Sequence, residues 1–307
     1  MSTPSRTVLI VALATAVVGV AVLAAKQNPV RYTEVDPSVE PILPEMVRIP
    51  EGPFLRGNPT GTDEEKPVRT IWLSEFSIGR YEVTNAEWKR FVDATDRERP
   101  VNPIFAEGYD YYLERPDHPA VEISWSDAAA YCKWLSDKTG RDFHLPTEAQ
   151  WEKAARGGLE GAEFFWGNDR REGMARHALS WSEGPVAVGS YPPNGYGLHD
   201  VAGNVNEMVQ DWYDETYFAR APERDPIGPN GWLNYVSLLD PVGRSRTKGR
   251  CHVVRGGSYR APWNWRERNP DDMFETPVQV GAREYVYQAP YTHFDLGFRV
   301  AEGGVWR

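Results

Sequence analysis

Leu145-Pro-Thr-Glu-Ala-Gln-Trp-Glu-Lys-Ala-Ala-Arg-Gly-Gly158 is the most informative stretch of the chain. Pro146 to Arg156 reads as a helix, and Gly157-Gly158 ends it. Two further helices precede it. Thr84-Asn-Ala-Glu87 is a capping box, with Glu three residues after Thr, and it opens a helix over Glu87 to Asp93. Ser124-Trp-Ser-Asp127 starts another, which runs to about Thr139 and stops at Gly140. Ahead of these, Met46 to Pro50 and Gly52 to Gly57 read as short strands joined by a Gly/Pro turn. Arg69 to Gly79 alternates apolar and polar residues, as one half-buried strand does. Beyond Gly158 the periodicity fails. The second half is Gly-, Asn- and Asp-rich, with short apolar runs at Val201 to Val209, Val253-Val254 and Leu296 to Ala301. The reading is an α+β domain with its helices early and its loops late. Irregular backbone in a folded domain must be satisfied by side chains, water or ions, which points toward bound cations.

The 307 residues suffice for one large domain with a substantial core. Hydrophobic residues at 41% and charged residues at 25% are globular values, which argues against a disordered chain. Twelve Trp, 27 Gly and 25 Pro suggest short connections pinned by aromatic packing. A net charge of −10 with no Lys/Arg run argues against a nucleic-acid partner, because phosphate neutralisation needs clustered cations.

Residues 1–26 stand apart. An uncharged stretch from Val8 to Ala25, close to the ~20 residues that span a bilayer, is flanked by Arg6 and Lys26. It reads as a transmembrane anchor with the N-terminus in the cytoplasm, or as a signal segment cleaved near Ala25. Residues 27–43, with Pro29, Pro37 and Pro41, read as a linker, and 44–307 as the domain. The domain is thereby expected on the periplasmic or extracellular face, an oxidising compartment where the two cysteines, Cys132 and Cys251, could be joined or could be buried thiols.

Several motifs fall in one order: Val83-Thr-Asn85, Val121-Glu-Ile-Ser-Trp125, the Leu145–Gly158 stretch, Phe165-Trp-Gly167, Pro193-Asn-Gly-Tyr-Gly-Leu198, Gly203-Asn-Val205, Arg255-Gly-Gly-Ser258 and Gly297-Phe-Arg299. Together they resemble the sulfatase-modifying-factor family, to which formylglycine-generating enzymes belong, from about Met46 to Ala301. The resemblance implies a single loop-rich α+β domain related to C-type lectins. It also implies where chemistry would sit. Formylglycine-generating members hold copper with two cysteines after a Gly-Gly-Ser-Tyr stretch, and thiolates are the ligands Cu(I) prefers. Here those positions are Ala261 and Arg266, and neither Cys132 nor Cys251 is in register to replace them. A Gly-Asn-Val-Trp-Glu-Trp motif of such enzymes is Gly203-Asn-Val-Asn206-Glu-Met208 here. No copper is expected.

The resemblance places a structural calcium ion at Asp200, Gly203, Val205 and Glu207, a set of side-chain and carbonyl oxygens suited to a hard cation. The other reading of Asp200 and Glu207 is that they bond loop backbone or an arginine. A second calcium site of the family would fall near Met174 to Ser182, which lacks an acidic residue. The six histidines show no i,i+4 pair, so a transition-metal centre is not expected. Ser258, Tyr259, Arg260, Trp263 and Arg266 form the candidate ligand-binding loop, where guanidinium forks suit carboxylates or phosphates and Trp faces suit stacking. Arg255 and Arg299 read as internal struts. The functional expectation is a membrane-tethered binding or accessory factor with a protein or peptide partner, whether any catalysis remains being open. The alternatives are a divergent oxidase with a non-thiolate centre and lectin-like carbohydrate binding.

Overall fold

In the helix that follows Pro146, every residue from Glu148 to Arg156 is buried, including two Glu, a Lys and an Arg. Such a helix is stable only if each charge finds a partner inside the protein. The computed structural model describes residues 32–229, 236–239, 245–249, 251–264, 277–287 and 291–305. Within them the strands, in chain order, are β1 (Met46–Ile49), β2 (Gly52–Arg56), β3 (Arg69–Leu73), β4 (Phe76–Gly79), β5 (Phe143–His144), β6 (Asn206–Trp212), β7 (Val236–Leu239), β8 (Ser245–Gly249), β9 (Cys251–Arg255), β10 (Glu284–Tyr287), β11 (Leu296–Gly297) and β12 (Ala301–Gly303). The helices are α1 (Asn85–Ala94), α2 (Tyr111–Glu114), α3 (Trp125–Thr139), α4 (Glu148–Arg156) and α5 (Tyr217–Arg220). One four-stranded sheet has the order β1-β4-β12-β5 and a second the order β10-β9-β6-β11, with β2-β3 and β7-β8 as separate pairs. This is the α+β architecture expected.

The predicted helices form close to their expected bounds because their caps form. Thr84 and Thr147 each close a reciprocal capping box, Thr84 with Glu87 and Thr147 with Gln150, and Gly140 and Gly157 end their helices in the left-handed conformation. The strands depart from expectation in their pairing. The two short strands β1 and β2 follow each other but join different sheets, β1 with β4 and β2 with β3. The single strand expected over Arg69 to Gly79 is two, broken at Ser74-Glu75. There Asp225 takes hydrogen bonds from both the Ser74 amide (2.7 Å) and its hydroxyl (2.9 Å), turning the chain from one sheet to the other.

Residues 32–43, expected as linker, lie against the domain. The Val35 amide donates to Ala94 O (2.8 Å), Lys138 pairs with Glu34 at 2.8 Å, and Tyr32 packs edge-on to Phe91. The apolar N-terminal segment lies outside the described residues; among those described, no helix is long and apolar enough to cross a membrane.

Among the described residues three apolar clusters make the core, one around α4, β2–β4 and β9, a second around α1, α3 and Phe298, and a smaller one of Ala106, Tyr111, Val121 and Val205. The charges of α4 enter the first. Glu148 accepts from Arg56 (2.8 Å), Arg255 (3.0 Å) and Arg283 (2.8 Å), and Glu152 from Arg255 (2.8 Å), Arg156 (2.7 Å) and the Gly57 amide (2.7 Å). The guanidinium charges hold the Glu148 carboxyl down at about 2 despite its burial. The neighbouring Asp211, on β6, accepts from the Glu148 amide at 2.7 Å, but its other oxygen has no hydrogen-bond partner.

Burial, with the Glu148 charge beside it, pushes the Asp211 carboxyl up from its usual 3.8 to about 7. The folded protein therefore holds this proton more tightly than the unfolded chain. The resulting stability is complete below about pH 4 and lost as the pH rises through 7. Asp211→Asn removes the dependence. In urea denaturation the variant should match the wild type near pH 4 and exceed it by about 2–4 kcal/mol above pH 7. Parallel profiles across that range would contradict the assignment.

Candidate functional site

Asp200 to Glu207 is the turn that feeds β6. Asp200 and Asn204 both have positive φ (57° and 61°), and a Cβ on Gly203 would lie 2.1 Å from Arg176 O, so only glycine fits there. The turn is stitched to the loop after β9, because the Gly203 amide donates to Gly256 O and the Tyr259 amide to Asn204 O, both at 2.9 Å. The two candidate sites thus share one backbone scaffold.

On the turn's inner side, Arg299 donates two bonds to Glu207, each 2.6 Å, and the Trp151 indole donates a third of 2.7 Å. The remaining Arg299 donors reach the carbonyls of Gly79, Arg80 and His199. Arg299 is thereby the strut expected of it, as Arg255 is beneath α4. A third carboxylate, Glu82, accepts from the Asn204 side-chain amide (2.6 Å) and the Val205 amide (3.2 Å), while Asp200 accepts from the Gly189 amide (2.6 Å). All three carboxylates are at most 4% exposed. Burial, then the charges of Asp200 and Glu207, raise the Glu82 carboxyl well above the usual range, and burial raises Asp200 as well. Three acids face one guanidinium. A proton on Glu82 or a bound cation would relieve that excess.

Asp200 and Glu207 therefore do bond backbone and an arginine, yet the charge they leave fits a hard divalent ion. Among the described residues, no three His, Cys, Asp or Glu side chains form a metal-binding group. A cation here would need carbonyl oxygens from the turn, where Gly203 and Val205 lie between the two acids.

The second candidate site is the loop after β9. Gly256 and Gly257 carry φ of 88° and 71° and reverse the chain, bringing Ser258 over the segment before β11. The Ser258 hydroxyl donates to Asp295 Oδ2 (3.0 Å) and accepts from the Arg260 amide (3.2 Å). Arg260 Nη1 lies 3.7 Å from the same carboxylate, with its guanidinium 5.6 Å from the Phe294 ring centre. His293 Nδ1 stands 2.5 Å from Asp295 Oδ1, and its ring stacks on Phe294 at 4.2 Å. Asp295 is buried, whereas Arg260, His293 and Phe294 are partly open to solvent.

The expected loop site divides. Ser258 and Tyr259 are fully buried, and the Tyr259 hydroxyl donates to Trp181 O (3.0 Å). Arg260 turns to Asp295. Trp263 turns instead to Phe164, Trp166 and His177, the last with ring centres 4.1 Å apart. Arg266 lies outside the described residues. Ala261 is buried in the first core cluster. The sequence reading missed Asp295, and it left His293 as an isolated histidine. Both stand within six residues of Arg299, in Thr292-His-Phe-Asp-Leu-Gly-Phe-Arg299.

Neither cysteine approaches this loop's role. Both are free and buried, Cys132 in α3 within the second cluster and Cys251 in β9 within the first. Burial pushes both thiols up, Cys251 to about 12. Asn206, where an aromatic residue was expected from the resemblance, is buried at the start of β6, and its amide donates to Asp295 O (2.8 Å).

The sulfatase-modifying factor enzyme 1-like domain matches residues 31–303. The formylglycine-generating enzyme of Streptomyces coelicolor is 33% identical over 290 residues, covering 76% of this chain and 85% of that enzyme. Among solved structures, PvdO from Pseudomonas aeruginosa matches with a TM-score of 0.62 at 25% identity, over 84% of this chain and 94% of that one. Treponema denticola variable protein 1 matches with the same TM-score and coverage at 23% identity, a likeness of fold alone.

Proposed function

The chain belongs to the sulfatase-modifying factor enzyme 1-like family, and from that premise we propose that it is a binding or accessory factor rather than a copper-dependent formylglycine generator. One observation carries the reading. Where the family resemblance calls for the first copper thiolate, the chain has the buried methyl of Ala261, while its two thiols are enclosed in α3 and β9. A Cu(I) site needs exposed or readily formed thiolates, and burial opposes thiolate formation at both cysteines. In this reading Ser258, Tyr259 and Asp295 fix the loop, and Arg260, Trp263 and Arg266 meet a protein or peptide partner. Arg260, partly open to solvent beside Asp295, offers a guanidinium fork that suits a partner carboxylate. The apolar segment 1–26 would hold the domain at the outer face of a membrane.

We also assign a structural calcium ion to the Asp200–Glu207 turn, with Asp200, Glu207 and the carbonyls of Gly203 and Val205 as its ligands. When bound, the ion would neutralise the carboxylate excess that Arg299 leaves. It would add no chemistry to the loop beyond holding it through the Gly203–Gly256 and Asn204–Tyr259 bonds.

Two measurements test these assignments. Incubated with copper, oxygen and a cysteine-containing sulfatase-type peptide, the protein should leave the peptide mass unchanged; a formylglycine product would overturn the accessory reading. For calcium, the melting temperature in millimolar Ca²⁺ should exceed that in chelator by a few degrees, the size expected for a ligand well above its Kd. Asp200→Asn should abolish the difference. Glu207 is the wrong residue to change, because its loss would also strand Arg299 and Trp151. A calcium effect that persists unchanged in Asp200→Asn would remove the site from this turn.

A further inference from the structure

Away from both sites, a cavity of about 350 Å³ opens between α3 and the strands β5, β6 and β9. Its wall includes Trp125, Cys132, Phe143, Leu145, Trp212 and His252, and neither Ser258 nor Asp295 reaches it. That volume lies at the small end of ligand pockets, enough for one ring with a short chain. The walls are mostly apolar, as such pockets are.

Its polar groups are unusual. The His252 ring is held between two tryptophans, 3.8 Å from Trp125 at 8° and 3.9 Å from Trp212 at 28°. Trp125 is fixed in turn, its indole N–H donating to Val209 O at 2.8 Å. His252 is 1% exposed, with Nδ1 3.1 Å from Gln210 O. Its Nε2 has no hydrogen-bond partner, and neither has the side-chain oxygen of Gln210, which lines the same cavity. Burial drives the imidazole down to about 3, so the ring is neutral near pH 7. Nδ1, facing a carbonyl, must carry the proton, which leaves a lone pair on Nε2.

His252 Nε2 and the Gln210 oxygen thus stand without donors in one largely apolar space, beside an Asp211 carboxyl whose Oδ1 is also unmatched, which is a costly arrangement unless something supplies N–H or O–H groups. The other charged or titratable groups around the cavity are Lys133, Asp137, Asp142, His144 and Asp211. Lys133 is paired with Asp137 at 2.6 Å, and the His144 nitrogens face the carbonyls of Leu145 and Gly303. The Asp211 carboxylate receives the Glu148 amide of α4. The unmatched acceptors at the wall therefore favour a ligand that brings N–H donors.

We infer that this cavity binds a small arylalkyl amine, its ring among Trp212, Phe143 and Leu145 and its N–H donors on His252 Nε2 and the Gln210 side-chain oxygen. The reading does not depend on the function proposed for the loop after β9, and its test leaves that loop untouched.

The probe is 2-phenylethylamine, compared with 3-phenylpropionate, which has a similar ring and chain but offers acceptors in place of donors. Calorimetric titration of the full chain at pH 7 should show saturable one-to-one binding of the amine and at least tenfold weaker binding of the acid. His252→Phe keeps the aromatic stack and removes Nε2, and it should weaken amine binding about tenfold, the loss expected for one buried hydrogen bond. Ala129→Phe, at a partly exposed helix position on the cavity wall, should block binding while the melting temperature holds, which guards against a folding defect in the first variant. The inference is overturned if the wild type does not bind the amine, in which case water serves the two acceptors. It is equally overturned if the acid binds as well as the amine, or if a folded Ala129→Phe binds as the wild type does.

Discussion

Glu148 and Glu152, one turn apart on a wholly buried helix, set the terms for the rest of the fold. Between them they receive Arg56 from β2, Arg255 from β9, Arg283 from the segment before β10 and Arg156 from their own helix. Buried ion pairs of this kind add little net stability, since desolvation offsets most of the attraction. What they enforce is geometry, because a misplaced strand would leave a charge unpaired in the core. The Glu148 amide also reaches Asp211 on β6. One helix therefore registers three strands, two of them carrying the turns that build the candidate sites.

A second knot, Glu207 with Arg299 and Trp151, repeats the logic and is as fully buried. Trp151 sits on α4, so the two knots share the helix. The difference between them lies in charge balance. Around Glu148 the arginines outnumber the nearby acids, whereas around Glu207 the acids outnumber the single arginine. Only the second therefore leaves an excess of negative charge, and it is the one whose turn is bonded to the loop after β9. The chain belongs to the family, while the position where the resemblance places the first copper thiolate holds the buried Ala261.

Much of this is legible in the sequence, for local reasons. Thr84 with Glu87, and Thr147 with Gln150, announce their helices because a capping box needs only residues three apart. The roles of Arg255 and Arg299 follow from motifs whose partners stand in equally recognisable places. The break at Ser74 is not legible, since it depends on Asp225, far along the chain. Asp295 was missed for a related reason, because its partner Ser258 is brought to it only by the turn at Gly256 and Gly257. The cavity is the extreme case. Trp125, Gln210 and His252 come from three separate elements, and no pattern in any one of them signals two unmatched acceptors.

The central claim is that the scaffold persists while the thiolate centre is gone. The most direct test is anaerobic titration of the purified chain with Cu(I) against a competing chelator of high affinity. The account predicts that no stoichiometric copper is retained, because Ala261 replaces one ligand and Cys132 and Cys251 are enclosed in separate core clusters. Retention of one tightly held Cu(I) per chain would contradict it.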